Sequence, residues 1–135
     1  MRKRLAAKFT ICLMAVLFLP GCGGIGQSGQ PEKTLMHVFA YTPLEGATQK
    51  DFEDFRRATA EMVGKIPGLK RVWVSKLREP VVGENDKIRT YGVAMEFENL
   101  EALKAYAGHP AHTEWVKVYE RVRVQGTTTL DITGE

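Results

Sequence analysis

The sequence contains little that would hold a metal or a nucleotide. Cys12 and Cys22 are its two cysteines, and both precede the region that we expect to fold. A closed zinc site needs four protein ligands. With both cysteines outside the fold, the three histidines would have to supply them, and they are too few. No glycine-rich phosphate loop follows a predicted strand, which argues against a nucleotide site. We therefore predict no cofactor.

Basic charge is also lacking where a nucleic-acid-binding protein would need it. Lys and Arg number 19 against 16 Asp and Glu, but four of the basic residues lie close to the start of the chain: Arg2, Lys3, Arg4 and Lys8. Without those four, the chain carries one more acidic than basic residue. The remaining positive charges are scattered among acids, with no basic stripe or aromatic-basic pattern. We expect no nucleic acid partner.

Long hydrophobic runs are absent as well. The uncharged run from Phe9 to Leu19 is shorter than the roughly 20 apolar residues of a transmembrane helix, and it follows a basic start, as in a secretory signal peptide. Directly after it, Leu19-Pro20-Gly21-Cys22 resembles the lipobox of bacterial lipoproteins, in which the cysteine is lipidated and becomes the first residue. We predict a lipoprotein signal peptide over residues 1–21 and acylation, for example with palmitate, at Cys22.

The unpaired cysteine fits this interpretation. Cys12 lies in the segment that would be removed, and an exported protein needs a reason to keep one remaining thiol. The alternative is an ordinary cleaved signal that leaves Cys22 free or paired with another chain. Several acyl chains would anchor the protein stably in a lipid membrane. Because Gly23 follows the cysteine, we expect an exported, lipid-anchored envelope protein of a bacterium, on the outer membrane facing the periplasm if the cell has two membranes.

The rest of the chain divides into a linker and one domain. Residues 22–33 are rich in Gly, with two Gln and one Ser, and predict a flexible tether. Residues 34–135 number about 100, enough for a single domain with one core.

The first half of this domain predicts a strand, a helix and a second strand. Leu35 to Tyr41 has aromatic and aliphatic residues at both odd and even positions, which is typical of a strand. Thr48 with Asp51 three residues on predicts a helix N-terminus with an acidic capping box. Apolar residues then recur at helical spacing until Pro67-Gly68. Leu69 to Leu77 predicts the second strand.

The second half predicts a strand, a helical region in two pieces and a last strand. A turn-prone stretch precedes a strand from Arg89 to Phe97. Asn99 is a good N-cap for a helix that Gly108 ends, and Pro110 can start the next helix at its first turn. Arg121 to Ile132 predicts the last strand. Its apolar residues share one parity: Val122, Val124, Leu130 and Ile132.

The order β-α-β-β-α-β predicts an α+β fold, a ferredoxin-like split βαβ sandwich with a four-stranded antiparallel sheet and helices on one face. The strands are apolar on both parities, so the face without helices would form a larger apolar patch than soluble monomers tolerate. A symmetric homodimer, sheet against sheet, would cover it and give a dimeric α/β barrel. The alternative is a monomer with a ligand-filled groove.

Several short stretches of the domain occur together in one known family. They are His37 in the first strand, Ile66-Pro67-Gly68-Leu69, Phe97-Glu98-Asn99, Tyr106 with His109-Pro110-Ala111-His112, and Leu130-Asp131-Ile132. With them, the run from Met36 to Ile132 resembles the stress-responsive A/B barrel domain family of dimeric α/β barrels. That family includes plant polyketide cyclases, stress-induced stable oligomers and bacterial proteins without assigned activity. The resemblance therefore implies a fold more than a function.

The resemblance to the cyclase branch implies an acid-base pair. A tyrosine and a histidine of those cyclases face the barrel cavity and match Tyr106 and His112. A neutral imidazole can remove a proton next to a carbonyl while a phenol hydrogen-bonds the enolate oxygen. The same matching implies a ligand pocket of His37, Phe39, Tyr41, Phe55, Thr59, Val93, Ala107 and Trp115. Tyr91 and Thr59 depart from the plant pattern, so the plant substrate class is not implied.

These residues also have a structural interpretation. Tyr106 fits an aromatic core residue on the inner face of its helix. His109 can cap the following helix through its ring nitrogen, and His112 can bond a backbone carbonyl and brace the helix break. Some plant members of the family bind magnesium through backbone carbonyls after the first helix. The matching positions, Val63, Ile66 and Leu69, are a weak signal because any peptide supplies carbonyls.

Two classes of function remain open. In the first, the protein is a membrane-tethered dimeric module that binds a small apolar or aromatic ligand, or takes part in an envelope stress response, without chemistry. In the second, it is an acid-base enzyme, a cyclase, isomerase or lyase, that acts through His112 and Tyr106. A cofactor-free or haem-related monooxygenase is a lesser third option.

Overall fold

The computed structural model describes residues 33–134. The predicted signal peptide, Cys22 and the tether up to residue 32 lie outside the described residues. The elements are β1 (Leu35–Tyr41), α1 (Gln49–Glu61), β2 (Leu69–Val82), β3 (Ile88–Phe97), α2 (Leu100–Ala107), α3 (Pro110–Tyr119) and β4 (Thr128–Thr133). None of the described helices is long and apolar enough to cross a bilayer.

The four strands form one antiparallel sheet in the order β2-β3-β1-β4. One parity of β1, with Phe39 and Tyr41, is buried in a common core with Phe55 of α1, Tyr106 of α2 and Trp115 of α3. All three helices therefore pack on the same side of the sheet. The predicted α+β ferredoxin-like sandwich is confirmed.

The predicted helix starts are present. Thr48 Oγ1 accepts a hydrogen bond from the Asp51 amide at 3.2 Å, and the Thr48 amide donates to Asp51 Oδ2 at 3.0 Å, which completes the capping box. Asn99 Oδ1 accepts from the Ala102 amide at 2.9 Å and starts α2. Pro110 occupies the first turn of α3. These short-range caps satisfy amides that have no partner within the helix.

Two predicted element ends were wrong. The first helix ends at Glu61, well before Pro67-Gly68, and the chain between them forms turns. The second strand continues past Leu77 to Val82 although it contains Pro80. The strand β2 is at the edge of the sheet, and its pairing with β3 shifts register between Lys76 and Val81. A proline is tolerated at such an irregular edge position because no ladder hydrogen bond is lost there.

The last strand was also predicted too long. It begins at Thr128, not at Arg121. Val122 is fully buried in the core, whereas Leu130 and Ile132 are exposed on the opposite side of the sheet. Gly126 has a φ of 93°, a left-handed conformation that favours glycine, so the chain turns between Val122 and β4. Val122 therefore does not belong to the same strand as Leu130 and Ile132, and their even spacing along the sequence does not place them on one face of the sheet.

The helices α1 and α3 are joined by a buried side-chain hydrogen bond. Trp115 Nε1 donates to Thr59 Oγ1 at 2.9 Å, and the Thr59 hydroxyl donates to the Phe55 carbonyl at 2.7 Å. Thr59 is fully buried and Trp115 nearly so. The contact fixes the indole ring of Trp115, which lies between the core and a cavity bounded by α2, α3 and the sheet.

The other side of the sheet is largely apolar, apart from the ion pair of Arg71 with Glu96, and is not covered by a described element. We call it the open face. Strand pairing places Val38 between Leu130 of β4 and Ala94 of β3, with Trp73 of β2 beyond. Trp73 is 45% exposed, Leu130 50% and Ile132 54%.

Candidate functional site

A cavity of about 450 Å³ lies between the helices α2 and α3 and the β1–β4 half of the sheet. Its volume is in the range of small-molecule sites. The wall combines seven aromatic or apolar residues with six polar ones: His37, Phe39, Leu103, Tyr106, Ala107, His112, Trp115, Val116, Tyr119, Arg123, Thr127, Thr129 and Asp131.

The structure brings together part of the predicted site. The residues that line this cavity are His37, Phe39, Tyr106, Ala107, His112 and Trp115. The other predicted pocket residues are buried in the core outside its wall: Tyr41, Phe55, Thr59 and Val93. Tyr41 and Phe55 instead border a second cavity beside Tyr91, between α1 and the strands β2 and β3.

His112 reaches the cavity from the first turn of α3. His109 is the N-cap of this helix, and its Nδ1 accepts a hydrogen bond from the Ala111 amide at 3.1 Å. His112 Nδ1 lies 3.2 Å from the Ala107 carbonyl oxygen. A carbonyl only accepts, so Nδ1 carries the proton and donates it. Nε2 makes no hydrogen bond to any described residue, and in the neutral ring it is the basic nitrogen.

The surroundings of His112 favour this neutral form. Burial lowers the pKa of His112 below its ordinary value, the hydrogen bond to the Ala107 carbonyl acts in the opposite direction, and the nearby His37 lowers the pKa further. The net direction is downward because the charged imidazolium loses hydration in the cavity wall. At neutral pH the imidazole is therefore available as a base.

Tyr106 is the phenol beside this imidazole. Its ring centroid lies 4.3 Å from that of His112 and 6.1 Å from that of His37. Burial raises the pKa of Tyr106 well above its ordinary value. The hydroxyl therefore remains protonated and can donate a hydrogen bond to a ligand oxygen.

His37 is oriented by an acid on the neighbouring strand. Its Nδ1 donates to Asp131 Oδ1 at 2.7 Å, and the two residues face each other in the β1–β4 register. Asp131 belongs to the motif that carried the family resemblance, but it was not predicted to contact the cavity. Side chains alternate between the two faces of a strand, so Asp131 lies on the face opposite to Leu130 and Ile132. This alternation is the signal that places it on the helix side of the sheet.

Tyr119 and Arg123 form the other end of the cavity and were missed by the sequence reasoning. The Arg123 guanidinium carbon lies 4.5 Å from the centroid of the Tyr119 ring. Tyr119 follows Trp115 by one helical turn, which is the signal that places both rings on one face of α3. Arg123 was assigned to the last strand, and no local pattern predicts the turn that returns it to the cavity.

The described residues contain no cluster of three or more His, Cys, Asp or Glu suited to a metal. Of the carbonyls matched to the plant magnesium site, that of Ile66 accepts the Leu69 amide at 3.2 Å. Val63 and Ile66 form an isolated bridge in the turns after α1. The magnesium site stays a prediction.

Fold and cavity together define an α+β domain of ferredoxin-like architecture with an aromatic cavity between its helices and its sheet. Residues 35–132 match the family described as the stress responsive A/B barrel domain. The chain belongs to this family.

Solved structures share the fold at low sequence identity. A dimeric ferredoxin-like protein of unknown function from Jannaschia is 20% identical with a TM-score of 0.59, covering 73% of this chain and 97% of its own. Hydroxynitrile lyase from Passiflora edulis is 14% identical with a TM-score of 0.61, covering 76% and 94%. A cofactor-independent oxygenase from Streptomyces nogalater is 18% identical with a TM-score of 0.50, covering 75% and 90%. No curated protein sequence matches the chain significantly.

Proposed function

We propose that this domain binds a small apolar or aromatic molecule in the cavity between its helices and its sheet. The cavity itself carries the proposal, because about 450 Å³ is bounded by the rings of Phe39, Trp115 and Tyr119 and by the polar groups of Tyr106 and His112. An apolar wall with a few convergent polar groups is the usual composition of a ligand site.

Binding can be tested by filling the mouth of the cavity. Ala107 lines the cavity and is exposed at the end of α2, so Ala107→Trp adds a ring there without overpacking the core. We expect it to weaken binding of an aromatic probe such as 4-phenylbutanamide by about tenfold or more in calorimetric titration. Ala105→Trp is the matched control, since Ala105 is exposed on the same helix and does not line the cavity. Equal affinities of the two variants would contradict the proposal.

Acid-base catalysis at the same site is the second candidate. The observation in its favour is the His112 tautomer, because the Nδ1 bond to Ala107 leaves Nε2 basic while the adjacent Tyr106 stays protonated. In that arrangement Nε2 would take a proton from the carbon next to a carbonyl, and Tyr106 would donate a hydrogen bond to the enolate oxygen. Hydroxynitrile lyase from Passiflora edulis has the same fold, which supports an enzyme of the lyase class without defining the substrate.

Proton abstraction can be measured without knowing the substrate. We expect the protein to accelerate exchange of the α-protons of 4-phenyl-2-butanone in deuterated water, followed by NMR. His112→Gln should remove this acceleration, because an amide nitrogen is no base, and Tyr106→Phe should reduce it by about 100-fold or more. Exchange at the buffer rate in the unaltered protein would leave the domain as a binding module.

The proposed module is dimeric and attached to a membrane. The exposed apolar side chains of the open face support the homodimer, and proteins of the same fold from Jannaschia and Thermobifida fusca are described as dimeric. The lipobox-like stretch ending at Cys22 supports the lipid anchor. The anchor would place the cavity in the cell envelope, on the outer membrane facing the periplasm where there are two membranes.

A further inference from the structure

We propose that the ligand of this cavity is an acid, and that its carboxylate binds at the end formed by Arg123, Tyr119 and Thr129. This inference rests on the proposed binding function and specifies the chemical class of the ligand. It starts from polar groups at that end of the cavity whose hydrogen-bonding capacity is unused.

Arg123 lines the cavity and is largely withdrawn from solvent. Its Nε is buried and has no hydrogen-bond partner within residues 33–134. The one ion pair found for it in the described chain joins Nη2 to Glu120 Oε1 at 3.9 Å, and that carboxylate is 63% exposed. A buried guanidinium N–H without an acceptor is costly. Because Nε itself is closed off from the cavity, a carboxylate there would accept from the terminal guanidinium nitrogens and would neutralise the charge that the buried group carries.

The neighbouring groups offer further donors. The Tyr119 hydroxyl is buried without a partner among the described residues and is closed off from the cavity, so Tyr119 contributes its ring, beside the Arg123 guanidinium, to this end. Thr127 and Thr129 line the same end and share a hydrogen bond of 3.2 Å between their hydroxyls. One of these two hydroxyls donates its proton to the other. The hydroxyl that accepts keeps its own proton free to donate to a ligand oxygen.

A second arginine adds positive potential behind this wall. Arg89 is 2% exposed, and no Asp or Glu of residues 33–134 forms an ion pair with it. Its Nη1 donates to Thr42 Oγ1 at 3.2 Å, whereas its Nε has no partner there. A Cβ on Gly126, the residue before Thr127, would lie 3.6 Å from Nη2. Two poorly neutralised guanidinium groups thus flank the Thr127 segment, where a carboxylate would lower the cost of burying both charges.

The opposite end of the cavity has a different character. Its acid, Asp131, already accepts the short hydrogen bond from His37, and its other polar groups are the imidazole of His112 and the phenol of Tyr106. Along α3, His112 and Tyr119 are seven residues apart, or roughly 10 Å at 1.5 Å per residue. The cavity therefore fits a ligand with a carboxylate at one end, an aromatic or apolar body, and a neutral hydrogen-bonding group about 10 Å away.

The test compares an acid with its isosteric neutral amide. Calorimetric titration of the purified full-length protein with 4-phenylbutanoate and with 4-phenylbutanamide should give about tenfold or more tighter binding of the acid, as for a charge-assisted hydrogen bond. Arg123→Gln should reduce the acid to the affinity of the amide and change the amide little, and Arg123→Lys should retain part of the preference. Lys117→Gln removes the same charge from the exposed side of α3 and should keep the preference.

The outcomes separate this inference from the function on which it rests. If acid and amide bind equally, and Ala107→Trp weakens both, the cavity binds ligands but the acid preference is overturned. If neither probe binds, the cavity function fails and the inference with it. A preference that survives Arg123→Gln also overturns the inference. The comparison in the unaltered protein is decisive by itself should a variant fail to fold.

Discussion

His109 and His112 are three residues apart and have different structural roles. His109 uses its Nδ1 to accept the Ala111 amide, so the predicted cap at the start of α3 is confirmed. His112 uses its Nδ1 to donate to the Ala107 carbonyl, which confirms the predicted bond to backbone, and its ring also forms part of the cavity wall. Bracing the helix break and presenting a basic Nε2 are therefore compatible, since each role uses a different ring nitrogen.

The protonation of His112 predicts a pH dependence of stability. Burial lowers the pKa of His112 in the folded state, whereas the unfolded chain has the ordinary value of about 6.5. As the pH falls below that value, the unfolded state takes up the proton first, so the free energy of unfolding decreases. Above the unfolded pKa both states are neutral at this position, and the contribution is constant.

Urea unfolding measured at about pH 7.5 and about pH 5 isolates this contribution. We expect the unaltered protein to lose more stability between these two pH values than His112→Gln, in which the side chain can still donate to the Ala107 carbonyl and cannot titrate. Other titrating groups are shared by the two proteins and cancel in the comparison. An equal loss in both would show that the imidazole is not protected from protonation by folding.

At the scale of elements, the contact between α1 and α3 sets the position of the cavity wall. Thr59→Val preserves the shape of the side chain and removes the acceptor of the Trp115 N–H. Since the indole nitrogen would then be buried without a partner, we expect the free energy of unfolding to fall by about 1–3 kcal/mol. Chemical denaturation followed by far-ultraviolet circular dichroism measures this change.

A double-mutant cycle provides the control for this contact. Trp115→Phe removes the donor, so Thr59→Val should cost less in that background than in the unaltered protein. Costs that simply add would mean that the hydrogen bond between Thr59 and Trp115 does not couple the two helices.

Elements with local signals were predictable from the sequence, and those fixed by distant contacts were not. The strand β1 has the predicted bounds, and Thr48 and Asn99 cap the predicted helices, because alternation and capping act within a few residues. The extension of β2 through Pro80 depends on its place at the edge of the sheet. The start of β4 depends on Val122, which is drawn into the core before the chain turns back.

The same distinction applies to the site. Tyr106, His109 and His112 are close in sequence, and their proximity was evident before the structure. Arg123 reaches the cavity only because the chain reverses after α3. Thr129 reaches it only because the pairing of β4 with β1 sets Thr129 opposite Phe39, with its side chain on the helix side of the sheet. A pattern read along the sequence does not contain these pairings, so the proposed carboxylate end of the cavity required the three-dimensional arrangement.

For the whole molecule, the predicted lipid anchor has a direct test. Cys22→Ala should shift the protein from the membrane fraction to the soluble exported fraction, because the acyl chains provide the stable attachment. Cys12→Ala is the matched control, because Cys12 is the other cysteine and lies inside the predicted signal peptide. This variant should remain in the membrane fraction. Membrane retention of the Cys22 variant would count against lipidation.

The open face predicts how two copies associate. Trp73, Leu130 and Ile132 are about half exposed there, and residues of this size are normally covered when they form a continuous patch. In a dimer related by a two-fold axis, each substitution occurs twice at the same interface. Leu130→Glu would therefore bury two carboxylates without partners, and we expect the dissociation constant to rise by about 100-fold or more.

Sedimentation velocity at micromolar protein concentration, with the signal peptide removed, measures this association. Leu100→Glu is the matched control, because Leu100 is also 50% exposed but lies on the helix side of the sheet. We expect the unaltered protein and the Leu100 variant to sediment as dimers and the Leu130 variant as a monomer. A monomeric unaltered protein would mean that the open face is covered by something other than a second copy, and dimers of all three would place the interface elsewhere. Because the cavity lies on the opposite side of the sheet, binding of 4-phenylbutanoate should survive dissociation of the dimer.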